Sequence, residues 1–236
     1  MTPTSILNNK VAIVTGGAKG LGLTLTESLL AEGMQVAICG REAAALEKEG
    51  RQLIADYPNQ LFWQACDVSQ AEEVDAFIDA VKRRFNSIDV LINNSGFGKQ
   101  TLVWETSETD WNDVMDTNVK GPFLLARKVV PVMIAQQSGY IVNIASQAAL
   151  NGYANAGVYC ASKFAMVGLA KALQEEVRQY NIHVHSLNPA LIQSHRGSDE
   201  AIDEGLVQNE DIASTLLFLL KQPRRLKIDN IGMWGF

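Results

Sequence analysis

The chain has 236 residues, 47% of them hydrophobic and 19% charged, which is ample material for a buried core. Its net charge of −6 speaks against a nucleic-acid binder, which would carry a basic face. No apolar run approaches the roughly 18 residues that a membrane span needs, and the polar start Met1–Asn9 has no charged head and apolar middle of the secretory kind, so a cytoplasmic location with no membrane contact is expected.

Short β-rich runs alternate with longer helical patterns along nearly the whole length. The first strand, Lys10–Thr15, runs into Thr15-Gly16-Gly17-Ala18-Lys19-Gly20-Leu21-Gly22, and a helix over Leu21–Glu32 follows at once. Gly16, Gly20 and Gly22 at that junction give a tight turn, close backbone approach to an anion, and close helix–strand packing. The helix N-terminus offers free N–H groups and the positive end of its dipole, so the junction suits a dinucleotide pyrophosphate. The second strand, Gln35–Cys39, ends in Gly40-Arg41. An acidic residue in this place usually holds the adenosine ribose of NAD. Here Gly40 stands instead, and Arg41 and Lys19 offer two cations with no carboxylate, which suits a 2′-phosphate and favours NADP(H) over NAD(H).

The alternation continues with helix Ala43–Tyr57, strand Leu61–Cys66, helix Ala71–Phe85, strand Val90–Asn93, helix Trp111–Gln136 and strand Gly139–Ala145. Helix Ala156–Tyr180, strand His183–Asn188, helix Asp211–Lys221 and a weaker strand near Lys227–Met233 complete it. The strands are apolar almost continuously, as parallel strands covered on both faces are. Repeated βαβ units with short connections predict an α/β fold, a Rossmann-type doubly wound parallel sheet of about seven strands with helices on both faces. No repeat, linker or low-complexity stretch divides the chain, so one domain over 1–236 is expected. Cys39, Cys66 and Cys160 are widely spaced and odd in number, consistent with reduced thiols. No Cys/His cluster has metal-ligand spacing, and His183 and His185 alternate as strand residues do.

Tyr159 and Lys163 stand one helical turn apart in Tyr-Cys-Ala-Ser-Lys, so both side chains project from one helix face. A phenol with a pKa of about 10 is too weak an acid to exchange protons usefully at neutral pH. An ammonium beside it favours the phenolate, and the pair is then suited to trading a proton with a substrate oxygen.

With these residues in view, the chain resembles the short-chain dehydrogenase/reductase family over essentially its full length. Thr15–Gly22 looks like the family's TGxxxGxG loop, and Asp67-Val68 like the pair that contacts adenine. Asn93-Asn94-Ser95-Gly96 matches NNAG with Ser95 in place of alanine, and Asn188-Pro189-Ala190 resembles NPG with Ala190 in place of glycine. The resemblance implies that Asn118, Ser146, Tyr159 and Lys163 form the catalytic tetrad, acting on a carbonyl or secondary alcohol. Tyr159 would be the general acid and base, Lys163 would lower its pKa and bind the nicotinamide ribose, Ser146 would donate to the substrate carbonyl, and Asn118 would hold a water. The same resemblance assigns Gly16, Lys19, Gly20, Leu21, Gly22, Arg41, Asp67, Val68, Asn94, Ser95, Gly96, Tyr159, Lys163, Pro189, Ile192 and Ser194 to the cofactor.

Ser146, Gln147, Tyr153 and Tyr159 are the substrate-side candidates, with Phe97 a further wall, and the stretch 190–209 is expected to be a short, acidic substrate loop. The substrate is expected to be a small molecule. Apolar residues on more than one face of Trp111–Gln136 and Ala156–Gln179 predict a homodimer or homotetramer through those helices. The alternatives are an inactive dinucleotide-binding regulator on the same fold, a 3-oxoacyl-thioester reductase, and a sugar-nucleotide epimerase. The complete tetrad argues against the first. The ending Ile228–Phe236 argues against the second, because it lacks a glycine-rich tail. The glycine spacing argues against the third.

Overall fold

The computed structural model describes residues 5–193 and 201–236. Its main strands are β1 (Val11–Thr15), β2 (Gln35–Gly40), β3 (Leu61–Ala65), β4 (Val90–Asn93), β5 (Gly139–Ile144), β6 (Ile182–Pro189) and, last in the chain, β9 (Asn230–Met233). They form one seven-stranded sheet in the order β3-β2-β1-β4-β5-β6-β9, every pairing parallel. Two-residue strands β7 (Ile192–Gln193) and β8 (Val207–Gln208) pair with each other beside it.

Helices α1 (Gly20–Ala31), α2 (Ala43–Asp56) and α7 (Asn209–Leu220) cover one face of the sheet. Helices α3 (Ala71–Phe85), α5 (Gly121–Gln136) and α6 (Gly157–Val177) cover the other. β1, β4 and β5 are buried along their length because each face is packed against helices. The winding reverses between β1 and β4, which opens a crevice at the carboxyl ends of those two strands.

The stretch expected to be one helix over Trp111–Gln136 is interrupted. Helix α4 (Glu108–Met115) begins three residues earlier, capped by Ser107, whose Oγ accepts from the Asp110 N–H at 3.0 Å. A π-helical turn over Asp116–Lys120 then leads into α5. The turn's last bond runs from the Gly121 N–H to the Asp116 carbonyl, five residues back, and Pro122, at the start of α5, has no N–H to offer the Asn118 carbonyl.

Candidate active site

The turn after β1 is built for close approach. Gly16 sits at φ +68°, a region that favours glycine. A Cβ on Gly22 would lie 2.0 Å from the Gly16 carbonyl oxygen, so the first turn of α1 can rest on the loop only with glycine there. Thr15 ties this loop to the one after β4. Its Oγ1 accepts from the N–H groups of Asn94 (3.0 Å) and Ser95 (2.9 Å), and Asn94 Nδ2 donates to the Thr15 carbonyl at 2.9 Å. α1 has no side-chain cap and no acidic residue in its first turn, so its N–H groups and positive dipole end are not claimed from within the helix.

Gly16, Lys19, Leu21, Gly22, Arg41 and Asp67 are among the walls of a crevice of about 430 Å³, together with Val68, Asn94, Ser95, Gly96 and Phe97. The expected pairing of Lys19 and Arg41 without a carboxylate does not hold. Glu42 lines the same crevice, and its Oε1 lies 2.6 Å from Lys19 Nζ. That hydrogen bond from Lys19 lowers the Glu42 pKa. Both side chains are largely exposed, at 72% and 67%, so solvent screens the pair.

A smaller cavity of about 190 Å³ shares Leu21, Asn94 and Gly96 with the first, so the two form one groove. Its other walls include Ser146, Tyr159, Lys163, Pro189, Ala190 and Ile192. Ser146 leaves the end of β5, while Tyr159 and Lys163 rise from the first two turns of α6. Lys163 is 4% exposed, and its Nζ donates to the Ile144 carbonyl at 2.8 Å. Burial pulls its pKa down to about 8. The ammonium stands 5.6 Å from the centre of the Tyr159 ring.

Spacing led to the expectation that Lys163 would lower the pKa of Tyr159. In the structure the phenol's pKa is raised, because burial is the largest influence and a hydrogen-bonding contact from Ser146 offsets only part of it. The ring is confined: a Cβ on Gly98 would lie 3.0 Å from its edge.

Asn118, in the π-turn, is completely buried. Its Nδ2 donates to the Phe97 carbonyl (2.8 Å) and Ser162 Oγ (2.9 Å), and its Oδ1 accepts from the Phe97 N–H (3.0 Å). The side chain is therefore a clamp on the segment after β4, and the water-holding role expected for Asn118 would fall to its main-chain carbonyl, which Pro122 cannot engage. Ser162, not singled out in the sequence, completes the clamp by donating to the Tyr159 carbonyl at 2.7 Å.

The remaining candidates separate. Phe97 lines the larger cavity. Gln147 is buried, and its Nε2 donates to the Asn188 carbonyl at 2.7 Å, which tethers the Ser146 segment to β6 instead of making a pocket wall. Tyr153 is exposed on the segment between Ser146 and α6. Ser194 and the following residues 195–200 of the expected substrate loop lie outside the described residues. Gly20 opens α1 at φ +50°. Cys39, Cys66 and Cys160 are free and buried.

A family model described as short chain dehydrogenase matches residues 10–204. An uncharacterized oxidoreductase of Staphylococcus saprophyticus is 28% identical over 228 residues, 95% of this chain and 97% of the relative. A metagenomic short-chain oxidoreductase solved in complex with NADP superposes with a TM-score of 0.85 at 29% identity, covering 98% of each chain. An alcohol dehydrogenase from the archaeon Thermococcus sibiricus, complexed with 5-hydroxy-NADP, gives a TM-score of 0.87 over 97% of each chain. At 24% identity that last likeness bears on the fold alone.

Proposed function

The chain belongs to the short-chain dehydrogenase family of NAD(P)-dependent oxidoreductases, and from that premise we propose that it is an NADP(H)-preferring enzyme interconverting a carbonyl and a secondary alcohol, with Tyr159 as general acid and base. One observation carries the reading. Ser146, Tyr159 and Lys163 line the same groove as a glycine turn and an uncapped helix N-terminus.

The residues present fit a dinucleotide. The crowded Gly16–Gly22 contact keeps the turn free of side chains, and the α1 N-terminus suits a pyrophosphate. Arg41 and Lys19 would take a 2′-phosphate, Asp67 and Val68 would meet the adenine, and Pro189, Ile192 and Ser194 would flank the nicotinamide. When bound, the cofactor supplies or accepts a hydride at its nicotinamide ring. Ser146 would hold the substrate oxygen and stabilise the negative charge that builds there. Tyr159 would give that oxygen its proton during reduction and take one during oxidation. Lys163, with a pKa of about 8, is mostly an ammonium at neutral pH, and its charge favours the phenolate that each turnover leaves behind. The Asn118 carbonyl, without an N–H from Pro122, would seat a water that returns the proton from solvent.

Glu42 supports a competing cofactor reading, since a carboxylate at the end of β2 can instead hold the ribose hydroxyls of NAD. The exposed apolar residues Phe123 on α5 and Phe164 and Leu169 on α6 support a homodimer or homotetramer through those helices. A groove of about 390 Å³ lies between them. Three free buried thiols support a cytoplasmic location.

Oxidation of NADPH and of NADH followed across ketones, keto-esters, sugars and quinones tests the activity. Reduction of at least one carbonyl class, with NADPH the better donor, is expected. An inert panel would overturn the assignment, and NADH as the better donor would overturn the cofactor preference.

A further inference from the structure

The last residues of the chain lie at the catalytic end of the sheet. β9 pairs with β6 through Pro189 and Met233, and the Ala190 N–H donates to the Met233 carbonyl at 2.8 Å. Ala190 itself lines the cavity that holds Ser146, Tyr159 and Lys163. Trp234 comes next, and its indole is seated on Gly232. A Cβ there would fall 2.4 Å from the six-membered ring and 3.2 Å from Nε2 of Gln147, the neighbour of Ser146. The tail is then locked in place, because a Cβ on Gly235 would lie 2.1 Å from the Gly205 carbonyl oxygen. An aromatic face, 63% exposed, is thus held beside the segment that follows Ser146 by two glycines that admit no side chain.

Further exposed apolar residues stand close in the chain to the walls of the cavity. Leu150 and Tyr153 stand on the segment leaving Ser146, Leu191 follows Ala190, and Ile202 precedes the turn on which Gly235 rests; all four are exposed. The Leu191 carbonyl accepts from the Val207 N–H at 3.1 Å, which joins the segment after Ala190 to the one after Ile202. Among the described residues, the charges that follow Ile202 are Asp203 and Glu204, both exposed. Apolar surface flanked by carboxylates attracts uncharged apolar groups and repels anions.

We infer that Trp234 is a specificity-determining residue, and that the substrate is an uncharged carbonyl compound carrying an apolar ring or branched chain next to the reacting carbon, not a phosphorylated, carboxylated or carrier-bound one. The inference rests on the carbonyl chemistry proposed above. It implies that Trp234 contributes to apparent substrate affinity through the apolar substituent and leaves the proton-transfer groups untouched.

Matched substrates separate the two. Reduction of 1-phenyl-1,2-propanedione and of 2,3-butanedione would be compared for wild type, Trp234→Ala, Trp234→Leu and Trp234→Phe, with NADPH and NADH each supplied in excess. Ethyl benzoylformate and the benzoylformate anion form the charge pair. The expected result is a phenyl-over-methyl preference in kcat/KM that drops about tenfold or more in Trp234→Ala, mainly through KM, and is retained in Trp234→Phe. The ester should be reduced and the anion scarcely at all. Equal loss on both diketones, or no change on either, would overturn the inference. So would a wild-type preference for 2,3-butanedione or the anion. A Trp234→Ala or Trp234→Leu variant that elutes as a smaller assembly and loses both activities together would make this face a subunit contact and would also overturn it. If wild type reduces none of the four and Tyr159→Phe is indistinguishable from it, the proposed activity itself fails and the inference falls with it.

Discussion

The Lys163 ammonium stands 5.6 Å from the centre of the Tyr159 ring, and its hydrogen bond goes to the Ile144 carbonyl. This arrangement buries a positive charge beside the proposed proton donor, at a cost in stability. Burial lowers the lysine pKa from 10.5 to about 8, so its charged form is less stable in the folded protein than in the unfolded chain. Between those two values the unfolded chain holds a proton that the folded protein has released, so stability rises with pH across that window. Below about pH 8 both states hold the proton, and the full cost, on the order of 3 kcal/mol, is present. Lys163→Met should therefore be inactive yet more stable than wild type at pH 7, by about 1–3 kcal/mol in urea unfolding. That advantage should shrink as pH rises from 8 towards 10.5. An advantage that did not change with pH would place its origin elsewhere.

Removal of the Tyr159 hydroxyl tests the acid itself. Tyr159→Phe keeps the ring that packs against Gly98 and removes only the proposed proton donor. Turnover should fall by about 10²–10⁴-fold, the usual range for a general acid, while dinucleotide affinity stays close to wild type. NADPH fluorescence titration alongside steady-state rates separates the two. A variant with unimpaired turnover would remove Tyr159 from the chemistry.

The parallel α/β sheet was legible in the sequence because buried parallel strands leave continuous apolar runs between glycine and helix signals. Val90–Asn93 and Ala71–Phe85 match their predicted bounds, and the other strands differ by a few residues at most. The break in Trp111–Gln136 was missed because apolar periodicity continues across Gly121-Pro122, and a shift from one hydrogen-bond ladder to another leaves no trace in that pattern. The Ser107 cap, with Glu108 and Asp110 in the first turn, marks the start of α4 three residues before the apolar pattern does. At the site, spacing placed Tyr159 and Lys163 on one helix face, but spacing carries no information about desolvation, which dominates both pKa values. Glu42 directly follows Arg41, yet its partner Lys19 lies 23 positions away, a contact that only the fold creates.

Acid sensitivity should trace to a stack of rings on β5 and β6. Tyr140, His183 and His185 stack at 5.4–6.0 Å, with Arg224 over Tyr140 at 4.8 Å. His185 Nδ1 bonds the Ile228 carbonyl, and its buried Nε2 has no partner among the described residues. Protonating Nε2 would bury an N–H without an acceptor. Burial is the main cause lowering both histidine pKa values; Arg224 adds to it at His183, while the Ile228 carbonyl and Asp229 oppose it at His185. The unfolded chain then protonates first, so stability should fall as pH drops below about 6.5. His185→Phe should lose less stability than wild type between pH 7 and pH 5.5 in thermal unfolding. Equal losses would clear this histidine.

The α5–α6 face should be where subunits meet. Phe123, Phe164 and Leu169 expose close to half of their surface there, an apolar patch flanking a groove. Leu169→Glu adds a charge at an exposed position and should leave the fold intact while shifting the protein to monomer in sedimentation. A wild-type protein that already sediments as a monomer would refute the assembly.

Glu42 decides between the two cofactor readings, because it competes for Lys19 at the mouth of the crevice. If the site takes a 2′-phosphate, the carboxylate both repels that phosphate and occupies its cation. Glu42→Gln removes the charge with little change in shape, so KM for NADPH should fall several-fold while KM for NADH holds. The gain should diminish at high salt, since the pair is exposed and screened. Arg41→Asp should act in the opposite sense, weakening NADPH and shifting preference towards NADH. If instead Glu42 holds ribose hydroxyls, Glu42→Gln would weaken NADH and leave NADPH unchanged. The two readings thus predict that the same substitution moves different cofactors, and a pair of KM measurements distinguishes them.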